Sequence, residues 1–329
     1  MRNLVTGGSG FIGAHLVRAL RARGEHVRVL DMRAPEPAID GVDYRSGSIN
    51  DAEALQSAVA GCERVFHLAA IAHLWVRERE QFQRVNVDGS CAVLAAARAA
   101  GVKCTVHVSS ESMLIDARRG RGRQQIDEST TVNPEHLAGP YCVSKWRAEQ
   151  AATNAVREHG QHVVVCTPTV PVGPNDPWLT PPTRMLLDLV RRQLPAWLDT
   201  TLNYVDVRDV AEGLVRAAER GEPGRRYLLG GENLAMDQLL ERLGRISGVK
   251  MPRLRVPWRV AWLSAHINEA WSDRISGKPP AAPLTGVRLA GAQVEFDNRR
   301  TRAELDWQPR ALDQSLADAL ADFRIRGLV

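Results

Sequence analysis

The 329-residue sequence predicts an α/β fold, a doubly wound parallel sheet joined to a smaller, mostly C-terminal domain. Three observations carry that expectation. Strand-like apolar runs alternate with amphipathic helical stretches from the N-terminus to Pro168. Strands separated by helices are joined by right-handed crossovers and lie parallel. Several of the runs, such as "HVVVCTP", are apolar throughout, as burial on both sheet faces requires. After Pro168 the beat breaks into proline-rich connections, where a second, less regular unit begins.

The elements follow in order. "RNLVT" is read as the first strand and "FIGAHLVRALRARG" as its crossover helix; "HVRVLD", "RVFHLAA", "KCTVHVSS" and "HVVVCTP" are the later strands. Between them lie the helices "DAEALQSAVAG", the long "QFQRVNVDGSCAVLAAARAAG" and the one opened by Tyr141. "TPTVPVGPNDPWLTPPT" leads to a helix near Met185 to Arg192, and two returns to the main sheet are expected, through "YVDVRDVAEGLVRAAERG" and "RRYLLGG". Residues 1–170 with about 204–230 then form one domain, and 171–203 with 231–329 the other. Leu312, Leu316, Leu320 and Phe323 recur at helical spacing and read as packing, whereas "RRGRGR" at 118–123 reads as a mobile solvated loop.

Composition narrows the function classes. With 44% hydrophobic and 25% charged residues the chain is long and apolar enough to bury a large core, so disorder is not expected. A net charge of +5 is spread along the chain; it suits an anionic cofactor or substrate, and no zinc spacing or aromatic RNA-binding signature points to nucleic acid. Cys62, Cys91, Cys104, Cys142 and Cys166 are an odd number without a CxxC, read as buried thiols of a reducing, cytoplasmic setting. A strand begins almost at residue 1, so no leader is expected, and no apolar run approaches the roughly 18 residues that cross a bilayer. His15, His67 and His73 lack metal spacing and receive no role; no metal is expected.

Chemistry enters with "VTGGSGFIGAHL". Gly7, Gly10 and Gly13 sit between the first strand and first helix, where glycines permit a tight turn and the amides that follow, at Phe11, Ile12 and Gly13, face an anion such as a pyrophosphate. Strand, turn, helix and second strand stand in dinucleotide-binding order, which makes the sheet Rossmann-like. Asp31 closes the second strand 18 residues after Gly13, placed to accept ribose hydroxyls of NAD and repel the 2′-phosphate of NADP. Arg33, two residues on, could pair with that phosphate, so NAD is expected and NADP left open. In "GPYCVSKWRAEQ", Tyr141 and Lys145 lie four apart on one helix face and can reach a common point.

Together "TGGSGFIG", "VFHLAA", the Asn of "VNVDGS", "VSSES", Tyr141 with Lys145, and "YVDVRDVA" resemble the extended short-chain dehydrogenase/reductase superfamily, the NAD-dependent epimerases and dehydratases. "CTPTVPVGP", the Trp of "IAHLWVRE" and "ELDWQP" are most similar to its dihydroflavonol-reductase-like branch and its hopanoid-associated sugar-epimerase group. The resemblance implies Tyr141 as general acid/base, Lys145 as the cation that stabilises its phenolate and holds the nicotinamide ribose, and Ser110, with Ser109 as the competing register, as hydrogen-bond partner of the reacting oxygen. It makes Asn86 the holder of a water or a kinked main chain near the site, and adds Ser48, Ile49, Leu68, Ala69, Ala70, Pro168, Thr169 and Val170 to the cofactor-binding set. A homodimer built on the Tyr141 helix and the long helix before it is implied as well.

Three departures bear on the adenine contact, the substrate and the reaction. Ser48 stands where many relatives place an adenine-contacting Asp, and Val170 stands where nucleotide-sugar members carry an Asn. Glu111 follows Ser110 where the dehydratases have Asp-Glu, so one carboxylate remains. In "VPWRVAWLSAHINEAW", Trp258, Trp262, Leu263, Ile267 and Trp271 recur at helical spacing, either as packing of the small domain or as an apolar mouth or membrane-facing surface. The expected activity is NAD(P)-dependent interconversion of a secondary alcohol and a ketone on a hydrophobic, lipid-like or polycyclic substrate, with nucleotide-sugar epimerisation or dehydration on tightly held NAD as the alternative.

Overall fold

The computed structural model describes residues 1–329. Seven parallel strands form the main sheet: β1 (Arg2–Thr6), β2 (His26–Asp31), β3 (Val42–Ser46), β4 (Arg64–His67), β5 (Cys104–Val108), β6 (Val163–Pro168) and β7 (Arg226–Leu229), in the spatial order β7-β6-β5-β4-β1-β2-β3. Strand order reverses between β1 and β4, and in such sheets the cleft at the carboxyl ends of those strands is where ligands bind. β5 and β6 are buried at every position, in keeping with their unbroken apolar runs. β3 was not legible, because "VDYRS" is a short, half-exposed edge strand with no apolar run.

Helices cover both faces. The helices α1 (Phe11–Ala22), α2 (Ala52–Val59), α3 (Gly89–Ala99), α4 (Pro140–His159), α5 (Pro181–Val190) and α6 (Val207–Arg220) follow the chain. Leu16, Val17 and Leu20 of α1 meet Val210, Leu214 and Val215 of α6 over one face, and Leu55 and Val59 of α2 meet Val93 and Ala97 of α3 over the other. Each fully buried Leu or Val in these layers contributes about 1.5–3 kcal/mol. The expected long helix from Gln81 is divided: Phe82–Asp88 is a π-helical segment and α3 begins only at Gly89. Asn86 lies in the widened part, the kind of irregularity that gathers at functional sites.

Only one of the two expected returns reaches the main sheet. "RRYLLGG" supplies β7, but Thr201–Asp206 joins a second sheet, pairing antiparallel with Glu232–Ala235 and parallel with Val170–Val172. That sheet continues through Gln293–Phe296 to Arg123–Ile126, so the boundary expected near 204 falls inside a strand and part of the Arg/Gly stretch is paired backbone. The helix after that strand, α6, does return to the main sheet, which is why the sequence pattern suggested a full return. Around the second sheet are α7 (Met236–Ser247), α8 (Trp258–Trp271), α9 (Leu284–Gly291), α10 (Arg299–Leu305) and α11 (Leu312–Ile325). Leu312, Leu316, Leu320 and Phe323 of α11 are buried against Leu239, Leu240 and Leu243 of α7, as packing required.

Candidate active site and cofactor cleft

A cavity of about 1230 Å³ runs along the carboxyl ends of the strands into the second domain. It exceeds the roughly 300–1,000 Å³ of a single drug-sized ligand, so a dinucleotide and a substrate fit together. The glycine turn lines part of it. The Gly7 amide donates to Leu30 O at 3.0 Å, and its φ of +73° is a left-handed conformation that favours glycine. A Cβ on Gly13 would stand 2.2 Å from Gly7 O, so helix and turn approach as closely as they do only because that side chain is absent.

Gly10 caps α1 without a side-chain bond, and the first turn holds no acidic residue, so the amides of Phe11, Ile12 and Gly13 present an uncompensated positive helix end. That arrangement fits a pyrophosphate. Asp31 accepts from the Ser9 amide through one oxygen at 3.0 Å, which orients its carboxylate toward the cleft. Arg33 lies over the Trp178 ring at 6.0 Å, its backbone carbonyl held by the Ser9 hydroxyl. Ser48, Ile49, Leu68, Ala69, Ala70, Pro168, Thr169 and Val170 all line the same cavity. The residues present therefore fit a bound dinucleotide at both its phosphates and its ribose.

Further along, Tyr141 and Lys145 project from α4, whose start is fixed by Pro140 at its first position. Both are buried and both line the cavity. Lys145 Nζ donates to Val108 O at 2.7 Å, and burial brings its ammonium down to about 8, with Glu149 opposing the shift. Burial raises the Tyr141 phenol well above its ordinary value; the Ser110 hydroxyl acts in the opposite sense and the Glu111 charge adds to the rise. The cation expected to lower this phenol is instead engaged by a carbonyl, so Tyr141 stays protonated at neutral pH.

The two candidate serines separate. Ser110 Oγ lies 2.9 Å from Ser112 Oγ and 3.3 Å from Glu111 Oε2, beside the phenol, whereas Ser109 Oγ turns to the Met113 sulfur at 3.6 Å. Glu111 lines the cavity and burial pushes it up to about 7. Asn86 does not line the cavity. Its Oδ1 accepts from Ile71 N at 2.8 Å, and its Nδ2 donates to Ile71 O at 3.1 Å and Ser144 Oγ at 2.9 Å. It clamps the main chain after β4 to the Tyr141 helix, so it acts as a positioning residue and does not itself line the cavity.

Sequence reasoning missed the opposite wall. Leu74, Met185, Leu202, Leu289 and Trp178 line the cavity, as does His73, to which the sequence assigned no role. Leu289 comes from a helix more than a hundred residues downstream of Tyr141 in the irregular third of the chain, where no pattern signals proximity. Trp178, in a Pro-rich connection and exposed, had as its only cue a large aromatic in a polar loop. Cys62, Cys104, Cys142 and Cys166 are buried as expected; Cys91 is exposed on the outer side of α3 and corrects that expectation.

The family model for the NAD dependent epimerase/dehydratase family matches residues 3–230. The chain belongs to that family. It is an NAD-dependent enzyme of the oxidoreductase and epimerase group, and its cofactor is NAD. Among relatives, a dihydroflavonol-reductase-like protein of Synechocystis sp. is 37% identical, covering 99% of this chain and 95% of its own length. The sterol demethylase protein B of Methylococcus capsulatus is 33% identical over the whole of both chains. A 4-hydroxy-2-methyl-3-oxo-4-farnesyl-3,4-dihydroquinoline-1-oxide ketoreductase of Stigmatella aurantiaca is 35% identical over 97% of this chain and 96% of its own. The crystal structure of the protein gox2253 superposes with a TM-score of 0.86 at 33% identity, covering 99% of each chain. No helix is long and apolar enough to cross a membrane.

Proposed function

We propose that the protein interconverts a secondary alcohol and a ketone on a hydrophobic, lipid-like or polycyclic substrate. The observation that carries this is the wall facing Tyr141. Ile71, Leu74 and Leu289 pack against the Phe82 and Tyr141 cluster, and Val85, Ile115, Met185 and Leu202 extend the apolar lining. Of the cationic side chains that line the cavity, Arg33 lies over Trp178 near Asp31 and Lys145 is held by Val108 O; Arg84 remains, itself 3.4 Å from Glu78. A nucleotide sugar brings a second diphosphate, which wants several converging cations. The names of the Methylococcus and Stigmatella relatives, a sterol-directed protein and a farnesyl-quinoline ketoreductase, point to the same substrate class.

Bound NAD supplies the hydride carrier. In ketone reduction the phenol of Tyr141, held protonated by burial, delivers its proton to the oxygen that becomes the alcohol. Ser110 donates a hydrogen bond to the same oxygen, and Asn86 keeps α4 and the chain after β4 in register. Lys145, engaged by Val108 O, lines the same cavity and is placed to hold the nicotinamide ribose of the bound cofactor. Alcohol oxidation runs the same proton backwards and calls for the phenolate, so it rises with pH. The proposal extends to a cytoplasmic homodimer paired through α3 and α4, which lie side by side through Leu94, Ala152 and Ala155; sedimentation at micromolar protein reads its mass.

The test is net cofactor turnover. Steady loss of NADH absorbance with a hydrophobic ketone, and none with UDP-glucose, is the expected result. Conversion of UDP-glucose to its epimer without net NADH change would favour the alternative, a nucleotide-sugar epimerase with tightly held NAD.

A further inference from the structure

Helix α8 breaks the rule that a surface helix turns its apolar face inward. Its inner side is occupied: Ala265 and Glu269 are buried, and the Trp258 ring sits over Gly291 of α9, where a Cβ would meet it at 2.4 Å. Yet Val260, Leu263, Ile267 and Trp271, at spacings of three and four, form a stripe on the opposite side, and Ile275 continues it in the turn that follows. Each of the five is between 56% and 63% exposed.

Basic groups outnumber acidic ones around the stripe. Glu269 and Asp273, the acidic groups of this segment, are both drawn to Arg79, at 3.0 and 2.9 Å. Arg259 and Arg274 flank the stripe, Lys250 and Arg253 precede it and Lys278 follows, all exposed and none in an ion pair. The fold also brings the Arg/Gly loop to this end of the molecule: Arg121 and Arg255 share the single carboxylate of Asp199, in a small pocket that Arg259 and Trp258 also line. Two features separated by more than a hundred residues thus meet, an apolar, Trp-bearing stripe and a basic rim.

We propose that α8 docks the protein on an anionic lipid surface, with the stripe at the level of the acyl boundary and the arginines among the headgroups. Apolar side chains on a helix lying in the plane, flanked by Lys and Arg, are what an anionic interface attracts. A second copy of the chain is a poorer occupant. A helix of this length is about 21 Å long, and a stripe about 10 Å wide along it covers about 200 Å², well short of the roughly 800 Å² per partner of a stable interface. A two-fold contact through the stripe would also set the two basic rims against each other. The proposal does not depend on the substrate reading, since none of these residues lines the active-site cavity.

The experiment is co-sedimentation of the full chain with vesicles of phosphatidylcholine alone or mixed with phosphatidylserine. The protein is expected to bind the mixed vesicles, to leave the neutral ones in solution and to release as salt is raised. Arg259→Gln with Arg274→Gln is expected to weaken binding about 25-fold, and Leu263→Ser with Ile267→Ser by about tenfold or more. Both variants should keep wild-type NADH affinity and melting temperature, because the altered side chains are exposed and outside the cofactor cleft. Equal binding to both vesicle types, or binding unmoved by either variant, would overturn the proposal. So would a stripe variant that turned a dimer into a monomer while vesicle binding stayed unchanged, which would assign the stripe to a second copy.

Discussion

Glu111→Gln removes one titration from the centre of the site, and the size of its effect follows from the burial of that carboxyl. Burial lifts Glu111 from an ordinary 4.5 to about 7. Between those values the native protein keeps the proton while the unfolded chain has released it, so the usual carboxylate behaviour is reversed: stability falls as pH rises from 4.5 to about 7 and is level above. At about 1.4 kcal/mol per pH unit the loss is at most about 3.5 kcal/mol. Since Glu111 lines a cavity that solvent reaches, about 2 kcal/mol is the working figure. The Gln variant carries no such loss. Urea denaturation of both proteins without cofactor, at steps from about pH 5 to about pH 8, should show the variant gaining on wild type by about 2 kcal/mol across that window. A constant offset with no slope would refute the reasoning, whatever its sign, because lost hydrogen bonds to Ser110 shift the offset and not the slope.

Further outcomes test the cofactor end. Gly13→Ala pushes a methyl to 2.2 Å from Gly7 O, a backbone atom with nowhere to go, so NADH titrated by fluorescence should bind at least about 100-fold more weakly. Asp31→Ser removes the acceptor for the ribose hydroxyls and the charge that repels a 2′-phosphate, leaving Arg33 nearby. The ratio of kcat/KM for NADH over NADPH should fall by about tenfold or more, about 1.4 kcal/mol; an unchanged ratio would remove Asp31 from cofactor choice.

The cofactor half was legible because it is local in sequence. Gly7 to Gly13 and Asp31 belong to one strand, turn, helix and strand, whose geometry dictates residue type at each place. Tyr141 and Lys145 share a helix face for the same reason. The apolar wall of the cavity was not legible, since Leu74, Met185, Leu202 and Leu289 converge from four segments and each looks like an ordinary core residue alone. Thr201–Asp206 was assigned to the wrong sheet because its pattern suits either one, and only its long-range partner Glu232–Ala235 decides. The contact of Lys145 with Val108 O, which leaves the phenol raised, depends on side-chain geometry that spacing does not encode.

The central claim, that Tyr141 moves the proton in an NAD-dependent reduction, is tested most directly by Tyr141→Phe in single turnover with NADH and a hydrophobic ketone that wild type reduces. The reaction should slow about 10²- to 10⁴-fold, the usual worth of a positioned general acid, while NADH affinity stays within about threefold of wild type, because the ring and its packing against Phe82 are kept. Reduction within about tenfold of the wild-type rate, with NADH still bound, would contradict the account and require another donor.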